Sequence, residues 1–273
     1  MRKRLVALHL NSLWVGDDLS WIERLCLHSA IAVGHSFTLY SYTPERLSDV
    51  PKKVEIRDAT EIMPEACLRR YADSNSVALG SNIFRYRLLA KSLGCWVDMD
   101  VYFVKPLVLE NDHIFGFERP HSINSAILGM PPDSPMLAAI FEGLKGWRRP
   151  AWYGPKRSLM YYTRRIMRGP MRLEDYPWGT FGPELVTYAA RRSGAYSAAQ
   201  PPSVFYPVGY NNLRYLIDPN ISPCLIEQKD TIAVHLYRGS LVRLLRRQAP
   251  PKRSYLARAC ENIGIQPITP QAL

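Results

Sequence analysis

Two aspartates, Asp98 and Asp100, stand one residue apart in the apolar stretch "CWVDMDVYFV" (residues 95–104). The stretch predicts a strand, and because side chains alternate along a strand, both carboxylates would project from the same face. Two like charges this close destabilise each other unless a positive group lies between them, and a divalent cation with a preference for hard oxygen ligands suits that position. The spacing therefore indicates a Mg²⁺ or Mn²⁺ site. For the tripeptide alone, a strand that ends in a polar turn is the commoner situation.

The chain around this pair alternates between strand and helix patterns. Residues 5–10 and 36–42 have the apolar runs of strands, and residues 20–34 between them have a helical pattern with Ser20 as N-cap and Gly34 as stop. This β-α-β opening predicts an α/β domain with a substantially parallel sheet. The aspartate pair would then lie at the carboxyl end of a strand, where such sheets generally bind ligands.

The rest of the chain continues the alternation. Further patterns predict a strand at 54–59, a helix at 76–94, a strand at 122–130, helices at 135–147 and 182–194, and an end of the regular structure with residues 231–239. The length of 273 residues suits one large domain, and no linker or repeat divides it. We predict a single domain over residues 1–273, with a basic extension from about residue 238.

The composition indicates in which cellular compartment the protein is expected. Hydrophobic residues make up 47% of the chain, yet no apolar run is long enough to cross a bilayer. The five cysteines are odd in number and widely spaced, which favours a reducing compartment without a disulfide framework. We therefore expect a cytoplasmic protein.

The net charge of +11 favours an anionic partner. Residues 143–173 contain no acid but nine basic residues, and sequence signatures of nucleic-acid binding are absent. In residues 156–169 the apolar side chains recur at helical spacing and arginines flank them; these residues are Leu159, Tyr162, Ile166 and Met167, with Arg157, Arg164, Arg165 and Arg168. Such a basic amphipathic helix predicts peripheral association with an anionic membrane surface, and a solvated basic face or a groove for a soluble anionic sugar is the alternative.

The longer segment "SNIFRYRLLAKSLGCWVDMDVYFVKPL" resembles the Asp-x-Asp region of glycosyltransferase family 32 and its relatives, the capsular-polysaccharide enzymes and the clostridial glucosylating toxins. The segments "SLWVG", "GHSFTLYSY", "INSAILG", "WGTFGPELVT" and "AVHLYRGS" are similar to family segments in the same order. The resemblance covers the chain from about Leu8 to Ser240, and ordered motifs over such a span make chance similarity rare.

The resemblance implies a GT-A type, Rossmann-like nucleotide-sugar-binding fold with a mixed, mostly parallel sheet. It implies a metal-dependent hexosyltransferase that retains anomeric configuration. The implied donor is a UDP-sugar, with GDP-mannose as second choice. The implied acceptor is a hydroxyl of a glycan or of a lipid-linked glycan of the lipopolysaccharide type.

The resemblance also implies roles for individual residues. Asp98 and Asp100 would be the catalytic metal pair, with Asp100 as the direct ligand and Asp98 reaching the ribose or a metal-bound water. His235 would contact the metal or the diphosphate. The implied donor contacts, besides Asp98, are Trp14 over the base, Arg85 toward the sugar or diphosphate, Asn124 toward the sugar, and Asn82 and Ser240. The sequence departs from the family where Asn82 replaces an aspartate, where Cys95 replaces a glycine and where Tyr237 and Leu241 replace tryptophans.

The same residues are compatible with two further classes of function. A phosphotransferase of the haloacid-dehalogenase type also uses Asp-x-Asp after a strand, although Tyr102 stands where that class usually has Thr or Val. A non-enzymatic protein that binds membrane surfaces through its basic patches is the other class. Several candidate site residues have structural alternatives: Trp14 and His235 as core residues, Arg85 as a surface cation and Asn124 as a turn partner. The sequence does not choose between Asp175, Glu184 and Asp218 as a general base.

Overall fold

The computed structural model describes residues 8–108, 111–145, 148–246 and 248–267. In these ranges the strands are β1 (His9–Trp14), β2 (Ser36–Ser41), β3 (Val54–Asp58), β4 (Cys95–Val97), β5 (Val101–Phe103), β6 (Ile114–Arg119), β7 (Ser122–Gly129) and β8 (Ala233–His235). The helices are α1 (Trp21–Ala32), α2 (Ala78–Ala90), α3 (Pro135–Gly143), α4 (Pro155–Arg168), α5 (Leu185–Ser193), α6 (Pro202–Phe205), α7 (Arg238–Leu244) and α8 (Tyr255–Ile263).

The main sheet has six strands in the order β3-β2-β1-β4-β7-β6. Strands β3, β2, β1 and β4 run parallel, while β7 pairs antiparallel with β4 and β6 antiparallel with β7. Strands β5 and β8 form a separate antiparallel pair. The predicted α/β class with a mixed, mostly parallel sheet is therefore confirmed.

Helices cover both faces of the sheet, and alternation along the strands separates the two layers. In β4, Trp96 packs in the cluster that includes residues of α2, α3 and α5, whereas Cys95 and Val97 pack in the cluster that includes residues of α1. Both faces of the central strands are thus buried, as parallel sheets require.

Local chemistry sets the ends of α1 as predicted. The Ser20 side chain accepts from the backbone N–H of Ile22, and the Glu23 side chain accepts from the backbone N–H of Ser20, so the two residues form a capping box. The chain leaves the helix through Gly34, which has a φ of 98°. The helix predicted over 20–34 is confirmed.

The turn into β4 requires a glycine for steric reasons. Gly94 has a φ of 111°, and a Cβ there would lie 2.5 Å from the carbonyl oxygen of His9. Only glycine lets the chain cross so close to β1 and then pair with it.

The continuous strand predicted at residues 95–104 is wrong. The chain pairs with the main sheet through Val97, turns at Asp98–Asp100, and begins β5 at Val101, which belongs to the other sheet. The backbone N–H of Val101 donates to the carbonyl of Asp98 (3.2 Å), which closes the turn. The apolar run is continuous because both halves are buried, each in a different sheet.

The ends of several elements also differ from the prediction. The first described strand begins at His9, and residues 5–7 of the strand predicted at 5–10 lie outside the described residues. Strand β6 and helix α8 were not predicted, and the regular structure does not end at residue 239. Leu256 and Cys260 of α8 pack in one buried cluster with Ile22 of α1, so the residues after 238 contribute to the core. The single-domain boundary stays a prediction.

None of the helices in the described ranges combines the length and the apolar character that crossing a bilayer requires.

The capping box gives a stability prediction. We expect Ser20→Ala to lower the free energy of unfolding by about 1 kcal/mol, because an N-terminal N–H of α1 loses its acceptor. Urea unfolding followed by circular dichroism measures the change. Ser48→Ala, at an exposed position in a loop, is the matched control and should change the free energy by less than about 0.5 kcal/mol. Equal values for the two variants would show that the cap does not stabilise α1.

Candidate functional site

The two predicted aspartates lie in the turn between the sheets, directly after β4. The backbone N–H of Asp98 donates to the carbonyl of Ala126 in β7 (2.7 Å), which anchors the turn to the main sheet. Ligand atoms of Asp98, Asp100 and His235 all lie within 4.8 Å of one another. The carboxylates therefore converge as predicted, although a turn and not the alternation of a strand brings them together.

His235 reaches the pair through the second sheet. It is the last residue of β8 and pairs with Val101 of β5. Its Nε2 lies 3.2 Å from Oδ1 of Asp100, and the backbone N–H of Leu236 donates to the carbonyl of Asp100 (2.8 Å). Pairing of β8 with β5 thus places an imidazole from 135 residues away against the aspartate.

Burial and neighbouring charges shift the pKa values of Asp98, Asp100 and His235 in different directions. Burial raises the pKa of Asp98, and the negative charge of Asp100 adds to this, while Arg85 opposes it. Burial alone would raise the pKa of Asp100, but the charge and hydrogen bond of His235 outweigh it and hold that pKa below its usual range. Burial would lower the pKa of His235, yet the adjacent carboxylates hold it above its ordinary value. The pKa of each of the three groups therefore depends on the charge of the other two.

The remaining donor atoms fit a divalent cation. Oδ1 of Asp98 accepts from Nε1 of Trp96 (2.7 Å), and Oδ2 of Asp100 accepts from the backbone N–H of Arg238 (2.8 Å). These bonds orient the carboxylates. The other oxygen of each, with Nε2 of His235, would be the ligand set, and a cation there would replace the present contact between Oδ1 of Asp100 and Nε2 of His235. Two ligand atoms that share a cation at roughly 2.1 Å lie at most about 4.2 Å apart. Since the observed spread is within 4.8 Å, small side-chain rotations would complete the coordination.

Arg85 of α2 holds one of the aspartates. Its Nη2 lies 3.0 Å from Oδ1 of Asp98, its Nη1 donates to the carbonyl of Ser125, and its guanidinium lies 4.8 Å from the centroid of the Trp96 ring. The side chain is almost fully buried. Arg85 is therefore not an exposed surface cation, and it positions Asp98. A contact of Arg85 with a nucleotide-sugar donor stays a prediction.

Asn82 lies one helical turn before Arg85 and is also buried. Its amide packs against Gly182 in the kinked turn Thr180–Glu184, where a Cβ would lie 3.0 Å from Nδ2 of Asn82. The kinked turn thus approaches the site through a glycine. A role of Asn82 in donor binding stays a prediction.

Trp14 lies at the carboxyl end of β1, beside Arg238. The guanidinium of Arg238 lies 5.5 Å from the centroid of the indole ring, and its Nε forms an ion pair with the fully buried Glu23. The same residue donates its backbone N–H to Asp100. Arg238 thus connects the predicted base platform to the aspartate pair. Arg238 was not predicted, because the burial of Glu23 that requires a cation partner is seen only in the structure.

Asn124 of β7 belongs to a second network, which contains Glu118 of β6. The Asn124 side chain accepts from the backbone N–H of Ala126 (2.8 Å) and donates to Oε2 of Glu118 (3.2 Å). Oε1 of Glu118 accepts from the hydroxyl of Tyr237 (3.0 Å), whose ring lies 4.0 Å from that of His235. A third carboxylate therefore lies beside the cluster, partly exposed to solvent.

Glu118 was missed because β6 was not predicted. The signal was the "FER" at the end of residues 114–119: in the hairpin with β7, Gly116 pairs with Asn124, and the side chain of Glu118, two residues further on, accepts from the Asn124 amide.

Tyr237 has a strained backbone that serves this arrangement. Its φ of 49° is in the left-handed region, which a tyrosine rarely adopts. This conformation begins α7 and lets the next residue, Arg238, direct its N–H to Asp100. Backbone strain of this kind is common where a site must hold a fixed geometry.

Ser240 lies in α7 at the outer edge of the site. Its hydroxyl donates to the hydroxyl of Tyr210 (3.0 Å), and the ring of Tyr210 lies 5.7 Å from that of Tyr237. Through these contacts Ser240 is linked to the cluster by two aromatic residues. Its role toward a donor stays a prediction.

The three acids considered as general bases have contacts of their own. Asp175 forms an ion pair with Arg164 (3.6 Å), and Glu184 one with Arg157 (2.8 Å). Asp218 accepts from the backbone N–H of Asn220 in a local turn (2.9 Å). Each of these bonds supports local structure, whereas Glu118 is joined to the cluster through Tyr237.

No family model and no curated protein sequence matches the chain. A solved structure described as "PaToxG Glycosyltransferase" is similar, with a TM-score of 0.44 and 13% identity over 68% of this chain and 69% of that chain. At this TM-score and identity the likeness does not bear on activity. The α/β fold with its Asp-x-Asp turn agrees with the GT-A type, while membership of family 32 stays a prediction.

The ligand set gives a binding prediction. We expect Asp100→Asn and His235→Ala each to weaken Mn²⁺ binding at least about tenfold, because each removes one of three protein ligands. Titration of Mn²⁺ followed by electron paramagnetic resonance measures the free ion directly. Asp133→Asn, in an exposed turn, is the control and should bind as the unchanged protein does. If His235→Ala also bound unchanged, the imidazole would not be a ligand.

Proposed function

We propose that the protein is a glycosyltransferase that needs a divalent cation, Mn²⁺ or Mg²⁺, and moves a sugar from a nucleoside-diphosphate donor to a hydroxyl of a glycan or lipid-linked glycan. The observation that carries the proposal is the convergence of Asp98, Asp100 and His235 at the carboxyl end of β4. Two carboxylates and one imidazole suit Mn²⁺ well, since it accepts both oxygen and nitrogen ligands.

A cation held by these residues would neutralise the charge that grows on the departing diphosphate. The residues of the chain prepare that position. Arg85 and Trp96 fix Asp98, and the backbone N–H of Arg238 fixes Asp100, so the negative face of the site is oriented before a donor arrives. Such preorganisation favours the transition state because no group needs to rearrange during the reaction.

Two groups of residues beside the cluster suit the two parts of a nucleotide sugar. Trp14 and Arg238 offer an aromatic ring and a guanidinium, which suit a base and a phosphate. Glu118 and Asn124 offer hydrogen-bonding groups, which suit sugar hydroxyls. We propose a UDP-sugar as donor, with GDP-mannose as second choice, and retention of anomeric configuration. The cytoplasmic location rests on the cysteine pattern and stays a prediction.

The proposal is tested by incubation with a panel of nucleotide sugars and Mn²⁺. We expect slow hydrolysis of one diphosphate donor, lost in Asp98→Asn and Asp100→Ala while both variants still show a cooperative melting transition. Release of phosphate from a monoester instead would favour a haloacid-dehalogenase-like phosphotransferase. Neither reaction, together with failure of all nucleoside diphosphates to bind, would leave a non-enzymatic surface-binding protein.

Glu118 gives a second prediction for the same reaction. We expect Glu118→Gln to lower kcat/KM for the donor by about 10- to 100-fold, because a charged hydrogen bond to a sugar hydroxyl contributes about 1.5–3 kcal/mol. Tyr237→Phe keeps the carboxylate but removes one of its supports, so its effect should be smaller.

The control for this prediction is Glu45→Gln, at a position whose side chain is 70% exposed. It should leave kcat/KM unchanged. An unchanged kcat/KM in Glu118→Gln would remove Glu118 from the site while leaving the metal assignment intact.

A further inference from the structure

Helix α4 carries an exposed apolar strip. Of its described residues, only Tyr161 is buried. The large apolar side chains that face solvent are Leu159, Met160, Tyr162, Ile166 and Met167, and Ile166 is 85% exposed. At 100° per residue these positions share one side of the helix, opposite Tyr161. A soluble protein rarely leaves such a contiguous strip uncovered, so the strip marks a binding surface.

The arginines of α4 do not all flank this strip as predicted. Arg157 turns inward and forms an ion pair with Glu184 (2.8 Å), and Arg164 turns inward to Asp175 (3.6 Å). These two arginines attach the helix to the body of the protein. The helix is thus held by its polar side and presents its apolar side outward, the reverse of an ordinary surface helix.

Exposed basic residues lie at both ends of α4. At 100° per residue Lys156 in the first turn lies on the side of the strip, whereas Arg168 in the last turn lies on the side of Tyr161; Arg172 is exposed just beyond the helix. Arg172 pairs with Asp175 (3.9 Å), while residues 143–173 themselves contain no acid. An apolar surface with negative charge near it suits this helix, and a bilayer with anionic headgroups combines the two.

We propose that α4 is a membrane-docking helix. Its apolar strip inserts into the boundary between headgroups and acyl chains, and its terminal basic residues contact anionic lipid headgroups. Apolar insertion and charge act together, so neither alone holds the protein at the surface. This inference goes beyond the proposed transferase activity and does not depend on it.

A second copy of the chain suits the strip less well. In a symmetric pair the same patch meets itself, so the basic residues at the ends of α4 in the two copies would be brought toward each other. Like charges that face each other oppose association. Charge complementarity therefore favours a lipid surface.

Docking through α4 would also orient the candidate site. Arg157 of α4 pairs with Glu184 of the kinked turn, whose Gly182 packs against Asn82 of α2. Arg85, one turn further along α2, holds Asp98. A short series of direct contacts thus connects the membrane face to the aspartate pair.

The test is flotation of the full-length protein with vesicles of phosphatidylcholine alone or mixed with phosphatidylglycerol. We expect recovery with the mixed vesicles and little with phosphatidylcholine alone. Leu159→Ser and Ile166→Ser should each reduce the partition coefficient by about tenfold, since each removes a large apolar side chain from the lipid. Raising the salt concentration should weaken binding without abolishing the difference between the variants.

Leu225→Ser is the matched control, because Leu225 is 63% exposed and Leu159 is 69% exposed, but Leu225 lies far along the chain in a short turn. It should bind as the unchanged protein does. Three results would overturn the proposal: no recovery with mixed vesicles, equal binding of Leu159→Ser and the unchanged protein, or a dimer in sedimentation equilibrium that Ile166→Ser dissociates. Melting temperatures of the variants show whether each is folded.

Discussion

Two carboxylates held together in a partly buried turn are the constraint on which the site depends. Two unit charges about 5 Å apart repel each other by roughly 3 kcal/mol at an effective dielectric constant of about 20, and ligand atoms of the two aspartates lie within 4.8 Å of each other. A single hydrogen bond contributes about 1 kcal/mol and cannot offset this repulsion. The structure therefore surrounds Asp98 and Asp100 with the guanidinium of Arg85, the imidazole of His235 and the backbone N–H of Arg238. A cation between the carboxylates would offset the repulsion that these groups do not compensate.

These compensating groups come from parts of the chain that are far apart in sequence. Arg85 is in α2, which packs on one face of the main sheet. His235 is the last residue of β8 in the second sheet, and Arg238 is the first residue of α7. The turn at Asp98–Asp100 is where the chain passes from one sheet to the other. The site is thus complete only when the two sheets and the start of α7 are in place, so folding of the C-terminal part and assembly of the site are coupled.

The parts of this arrangement that sequence could predict are those with local causes. Ser20 as N-cap and the turn glycine Gly34 identify α1 by themselves. The proximity of Asp98 and Asp100 was predicted too, although for a strand, whereas a turn provides it. The division of residues 95–104 between two sheets has no local signal, since both halves are equally apolar.

Residues of the site that arise from long-range pairing were harder to predict. His235 was identified only through the family resemblance, and Arg238 and Glu118 were missed. Glu118 reaches the site through a hairpin with bulges, and Arg238 through a left-handed residue, Tyr237, that no propensity predicts. The inward turn of Arg157 likewise depends on an acid 27 residues away.

Pulsed electron paramagnetic resonance of Mn²⁺ bound to the protein together with UDP examines the metal and the donor in one complex. We expect hyperfine coupling to one imidazole nitrogen, from His235, and to the phosphorus nuclei of the diphosphate in the same complex. Bound Mn²⁺ with phosphorus coupling but no nitrogen coupling would remove His235 from the site. Bound Mn²⁺ with no coupling to phosphorus would contradict the proposal that this cluster holds a nucleoside diphosphate.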